Sequence, residues 1–168
     1  PDLLLADADP PHVGSLDVDL ALNAEKLGDG RYAELLSLLI DTRRYRAGDK
    51  SFQLVVDVDL KDGLDSIEVA VELLAPKDLK LKKNKPKLLE NFRVLKADGC
   101  SAAFRNPETL DLDGKMVNGA DNRVSIHVAS LSDFLVMKAM ALNGRDKPKD
   151  SYDICYCLDN ADDADIEG

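Results

Sequence analysis

The stretch HVGSLDVDLALN, His12 to Asn23, places two carboxylates one residue apart inside an apolar run. Asp17 and Asp19 sit among Leu16, Val18, Leu20 and Leu22. Read as a strand, the run points alternate side chains to one face, so both aspartates share that face. Like charges held side by side repel, and burial strengthens the repulsion. A cation bound between them removes that cost. Two carboxylates at this spacing suit Mg²⁺ or Mn²⁺, hard cations that take oxygen ligands and keep water and phosphate in their shells.

The same four letters, DVDL, recur at Asp57 to Leu60. There the turn-forming KDG follows, as at a strand end running into solvent, so the first copy is the expected metal pair. In IEVAVELLAP, Glu68 and Glu72 alternate onto one face. Glu72 is a candidate third carboxylate if this strand lies beside the first; otherwise it is a solvent-facing residue of a half-buried sheet.

Around these runs the sequence lays out a mixed α/β domain. GRYAELLSLLIDTRRYRAG carries Tyr32, Leu35, Leu36, Leu39 and Ile40 at helical spacing, with Gly48 as the expected stop. SFQLVVDVDL and SIEVAVELLAP form a β-hairpin. TLDLDGKMVNGADNRVSIHVAS reads as short strands broken at Asp-Gly and Asn-Gly turns. Two helices close the chain: SDFLVMKAMALNG, with Ser132 as N-cap and Gly144 as stop, and KPKDSYDICYCLDN from about Pro148. The expected division is a core over residues 1–128 and a C-terminal helical pair over 129–168, packed on the same domain.

Lys138 is the one polar residue in FLVMKAMAL, Phe134 to Leu142. A buried lysine needs a partner, although its stem can lie along apolar surface with the head in water. Asp150 and Asp153, i and i+3 on the following helix, are the acids a short link can bring to it.

Composition bounds the rest. At 168 residues with 45% hydrophobic content the chain builds one real core. No apolar run reaches the ~20 residues of a membrane helix, and the first residues lack a signal-peptide pattern. Cys100, Cys155 and Cys157 have no zinc-like spacing and read as reduced thiols of a cytoplasmic protein. His12 and His127 stand far apart, which offers no His-rich metal site. A net charge of −10 argues against general nucleic-acid binding. Charge is uneven, however. Lys77 to Lys96 holds eight Lys/Arg against Asp78 and Glu90, and Arg43, Arg44 and Arg46 form a second cluster. Each is either a solvated surface or a local basic patch for a phosphate backbone.

Taken in order, GSLDVDLAL, VAVELLAP and SLSDFLVMKAMALNGRDKPKDSYDICYCL resemble the nucleotidyltransferase superfamily, in particular its AbiEii-type branch of abortive-infection and toxin–antitoxin systems. The resemblance runs from about His12 to Leu158. It implies an α+β fold with a mixed sheet, flanking helices and a C-terminal helical pair. It implies Mg²⁺ on Asp17 and Asp19, with Glu72 where the family usually has aspartate. By the same resemblance Lys138 contacts nucleotide phosphate, Asp153 orients it or the acceptor, and Ser15, Lys149 and Asp150 belong to the substrate site. The Gly14-Ser15 pair abuts the aspartates, whereas the family's turn usually lies several residues earlier. The implied activity transfers a nucleoside monophosphate from an NTP to an acceptor hydroxyl, on RNA such as tRNA, in a toxin paired with an antitoxin protein. The other reading is a degenerate, inactive nucleotidyltransferase fold that binds nucleotide or protein.

Overall fold

The computed structural model describes residues 1–23, 31–59, 65–77, 94–116 and 119–162. The chain divides into two compact units, one of Val13–Cys100 and one of Pro1–His12 with Ser101–Gly168. The boundary expected at 128/129 therefore falls inside the second unit. Both units mix helix and strand, and the fold class is α+β.

The first unit holds β1 (Asp17–Ala21), α1 (Arg31–Asp41), β2 (Arg46–Ala47), β3 (Gln53–Val58), β4 (Ile67–Pro76) and β5 (Leu95–Ala97). The sheet runs β1-β4-β3-β2, with β5 paired to the end of β4. β3 and β4 are the expected antiparallel hairpin, and β1 lies parallel to β4. Strand alternation sorts the residues onto two faces. One face carries Leu54, Val71 and Leu73, which form a core with Leu22 and with Leu36 of α1. Tyr32, Leu35, Leu39 and Ile40 of α1 pack around it, so the helical spacing read from the sequence is the face that covers the sheet.

α1 stops at Asp41, seven residues short of Gly48. Arg43 adopts φ 55°, a left-handed conformation that ends a helix, and its N–H donates to Ile40 O at 2.8 Å. The released chain then pairs Arg46 and Ala47 with β3.

The second unit holds β6 (Glu108–Lys115), β7 (Asp121–Val128), α2 (Leu131–Gly144) and α3 (Pro148–Asn160). β6 and β7 make one long hairpin rather than several short strands. Asp113 and Gly114 lie inside β6, paired with Arg123 and Asn122. Past the strand ends Met116 N–H donates to Ala120 O at 2.8 Å, and Gly119 takes φ 83°. The N-cap of α2 is Ser130, not Ser132. The Ser130 hydroxyl accepts from Asp133 N–H at 3.3 Å. Pro148 opens α3, where a missing N–H costs nothing. No described helix is long and apolar enough to cross a membrane.

Candidate functional site

Two constellations stand out, one in each unit. In the first, the face of the sheet opposite the core carries the acids. Parallel register sets Asp19 beside Glu72 and Asp17 beside Ala70. Asp17, Asp19, Glu68 and Glu72 thus share one face of adjacent strands. β1 is an edge strand among the described residues, and its burial differs from the sequence reading. Asp19 is exposed and Asp17 half-buried, while Val18 and Leu20 keep 47% and 40% of their surface. The carboxylates therefore keep contact with water, and their mutual repulsion is screened rather than amplified by burial.

Local chain geometry supports this pair. Gly14 takes φ 79°, and the Ser15 hydroxyl donates to Asp17 Oδ1. Glu72 is engaged elsewhere: its Oε1 accepts from Lys50 Nζ at 2.7 Å and from Gln53 Nε2 at 3.1 Å. Among the described residues, no three His, Cys, Asp or Glu side chains gather as a ready metal cage. The arrangement offers two acid side chains on one strand, with a third on the same face tied to a lysine. Two accessible carboxylates suit a hard divalent cation that completes its shell with water and phosphate oxygens. Nearby, burial and then the Asp19 charge push the Cys100 thiol up to about 11, which keeps it protonated.

The second DVDL copy sits differently. Asp57 is in β3 and accepts from Arg46 Nη2 at 3.2 Å, beside Glu68 at 2.6 Å from the same guanidinium. All three side chains are more than half exposed.

In the second unit, α2 and α3 bury acids and expose apolar groups. Asp133, Asp150 and Asp153 are 3%, 0% and 1% exposed, against 42% for Val136 and 44% for Met140. Buried carboxylates need full pairing, and each has it. Asp133 takes Arg105 at 2.8 Å and the Asn106 N–H at 3.2 Å.

Lys138 lies between the other two, with Nζ 3.0 Å from Asp150 Oδ1 and 2.6 Å from Asp153 Oδ2. Arg145 grips Asp150 with Nε at 2.7 Å and Nη2 at 3.0 Å. Lys149 reaches Asp153 at 3.0 Å, one helical turn away. His12 Nε2 is also 3.1 Å from Asp153 Oδ1.

The electrostatics follow from these contacts. Burial alone raises the Asp150 carboxyl, but hydrogen bonds from Arg145 and Lys138 outweigh it and hold the group at about 2. Asp153 is lowered for the same balance, burial opposed by Lys138 and Lys149. Burial would lower Lys138, yet its bonds to Asp153 and Asp150 win and raise it. Lys138, Arg145 and Lys149 surround Asp150 and Asp153, and His12 stands between Asp153 and Asp2. An ammonium has three N–H donors, and two point at Asp150 and Asp153. Lys138 Nζ also lies 5.3 Å from the Phe134 ring centroid, and its side chain is 19% exposed, so the open edge of the cluster is where an anion would meet it.

Lys138, Asp150, Asp153 and Lys149, all singled out in the sequence, thus meet in one cluster. Arg145 and His12 belong to it and were not anticipated. Arg145 lies in the short link between the two helices; His12, 141 residues from Asp153, carried no local signal. Asp17, Asp19, Ser15 and Glu72 group in the other unit. Of the basic stretch Lys77–Lys96, residues 78–93 lie outside the described residues; Lys77 pairs with Asp98 at 2.6 Å. Comparison with protein-family models, curated proteins and solved structures finds no match.

Proposed function

We propose that this protein is a Mg²⁺- or Mn²⁺-dependent nucleotidyltransferase acting on an NTP and an acceptor hydroxyl, with RNA as the acceptor class. The observation that carries the reading is the parallel register of β1 and β4, which sets Asp17, Asp19 and Glu72 on one face. Asp17 and Asp19 would hold the cation. Such a cation polarises phosphoryl oxygens and lowers the pKa of a bound hydroxyl.

In the transfer, a bond forms from the acceptor oxygen to the α-phosphorus. The bond from that phosphorus to the bridging oxygen of the β-phosphate breaks, pyrophosphate leaves, and the acceptor proton passes to solvent. Ser15 orients Asp17 through its hydroxyl. By resemblance to the nucleotidyltransferases, Lys138 is the proposed contact for nucleotide phosphate; within its own unit Asp150 and Asp153 fix the ammonium, with Arg145 and Lys149 beside them. The basic stretch Lys77–Lys96 is the proposed acceptor contact. Within this reading, a toxin held by an antitoxin protein is the biological role.

The contact between Glu72 and Lys50 favours a second reading, a binding module with the same parts and no turnover. Incubation with each α-phosphorus-labelled NTP, Mg²⁺ and total RNA separates the two. Label on RNA supports the transferase; nucleotide bound but never transferred supports the module.

A further inference from the structure

His12 belongs to neither helix of the Lys138 cluster, yet it is among the most enclosed groups there. Its side chain is 2% exposed. Both ring nitrogens meet carboxylate oxygens: Nε2 lies 3.1 Å from Asp153 Oδ1, and Nδ1 lies 2.5 Å from Asp2 Oδ1. The ring also packs against Tyr152 and Tyr156 of α3, with centroids 5.2 and 4.8 Å away. Two residues earlier, Pro10 O accepts from the Tyr156 hydroxyl at 3.2 Å. The Pro1–His12 segment is thus tied to α3 by aromatic packing, the Tyr156 hydroxyl and the His12–Asp153 hydrogen bond.

The contact with Asp153 has a consequence for the lysine beside it. Asp153 Oδ1 receives His12 at 3.1 Å and Lys149 at 3.0 Å, while Oδ2 meets Lys138 at 2.6 Å and, more distantly, Lys149 at 3.3 Å. With donors on Oδ1 from both the N-terminal segment and α3, the carboxylate plane cannot rotate without breaking a buried contact.

We propose that His12 is a positioning residue: it locks the Asp153 carboxylate so that Lys138 is aimed at the anion site, and the Pro1–His12 segment is a working part of that site. The proposal rests on the transferase reading for the reaction it serves, but its geometry stands apart from that reading. The groups facing the ring are Asp2 from the segment itself and Asp153, Tyr152 and Tyr156 from α3, with Lys149 of α3 and Lys138 of α2 on the far side of Asp153.

Two substitutions separate hydrogen bonding from packing. His12→Phe keeps a ring against Tyr152 and Tyr156 and removes the donor; His12→Gln keeps one donor within reach of Asp153. Hydrogen–deuterium exchange on the full chain, without nucleotide, reads the segment directly. Exchange across residues 2–10 should rise at least tenfold in His12→Phe and stay near wild type in His12→Gln. In the transfer assay, kcat should fall at least tenfold in His12→Phe with KM for NTP little changed, and His12→Gln should recover most of it.

Wild-type exchange and turnover in His12→Phe would overturn the proposal, since packing alone would then suffice. Equal loosening in both variants would overturn it too. Should His12→Phe fail to fold, Asp153→Asn must loosen residues 2–10 to the same degree, and protection unchanged there contradicts it. If wild type transfers no label from any NTP, the transferase reading fails while the exchange result still decides the role of His12.

Discussion

Lys138 Nζ stands 2.6 Å from Asp153 Oδ2 and 3.0 Å from Asp150 Oδ1, so one lysine bridges two fully enclosed acids on the next helix. Neither acid depends on that lysine alone. Asp150 keeps the Arg145 fork, and Asp153 keeps Lys149 and His12. This redundancy shapes what substitutions there should do.

Lys138→Met removes the central cation of the cluster. An orphaned buried ion pair costs about 3–5 kcal/mol. With both acids still paired, the loss measured by urea unfolding should be smaller than that. Transfer activity should nevertheless disappear. A variant that unfolds outright would make Lys138 structural, and one with near-normal turnover would remove it from the site.

Acid should weaken the second unit in a narrow window. The Asp150 carboxyl sits at about 2 when folded, against about 3.9 for an unfolded aspartate. Its contribution, about 2–3 kcal/mol on linkage arithmetic, is therefore full above roughly pH 4 and is lost as pH falls through the folded value. Asp153 acts in the same direction. Lys138, raised by its two acids, contributes below its unfolded value and loses that contribution as pH climbs through the folded one. Stability followed from neutral pH into this acid window should drop in wild type and drop less in Asp150→Asn. Parallel curves would contradict the assigned pairing.

The elements that repeated a clear period were legible in the sequence. The β3–β4 hairpin alternates strictly, and α1 shows its covering face through Leu36 and Leu39. The helix end was not, because Arg43 adopts a left-handed turn that no glycine announces. The Asp113-Gly114 pair read as a turn but lies within β6, where cross-strand pairing with Arg123 and Asn122 overrides local preference.

At the cluster, Lys138 with Asp150 and Asp153 followed from one rule, that a lysine in an apolar helix needs acids. The same rule said nothing of His12, whose contact with Asp153 is made by tertiary folding alone. It also did not say that Val136 and Met140 would be left outside while the acids went in.

Binding of RNA by the Lys77–Lys96 stretch should be modest and fall steeply with salt, as phosphate contacts do. Replacing Lys80, Lys82, Lys83 and Lys85 by Gln should weaken RNA binding in a low-salt filter assay and leave NTP binding unchanged. Equal RNA retention by both proteins would rule that stretch out as the acceptor contact.

The chain writes DVDL twice, and only the first copy faces Glu72 across a parallel pair while keeping contact with solvent. The most direct measurement compares transfer of α-phosphorus label to RNA by wild type, Asp19→Asn and Asp57→Asn at saturating Mg²⁺. Loss of a metal ligand worth several kcal/mol in the transition state should lower the Asp19→Asn rate at least about 100-fold. Asp57→Asn, which breaks only an exposed contact with Arg46, should transfer at the wild-type rate. Equal rates for wild type and Asp19→Asn, or a loss confined to Asp57→Asn, would contradict the metal site on β1.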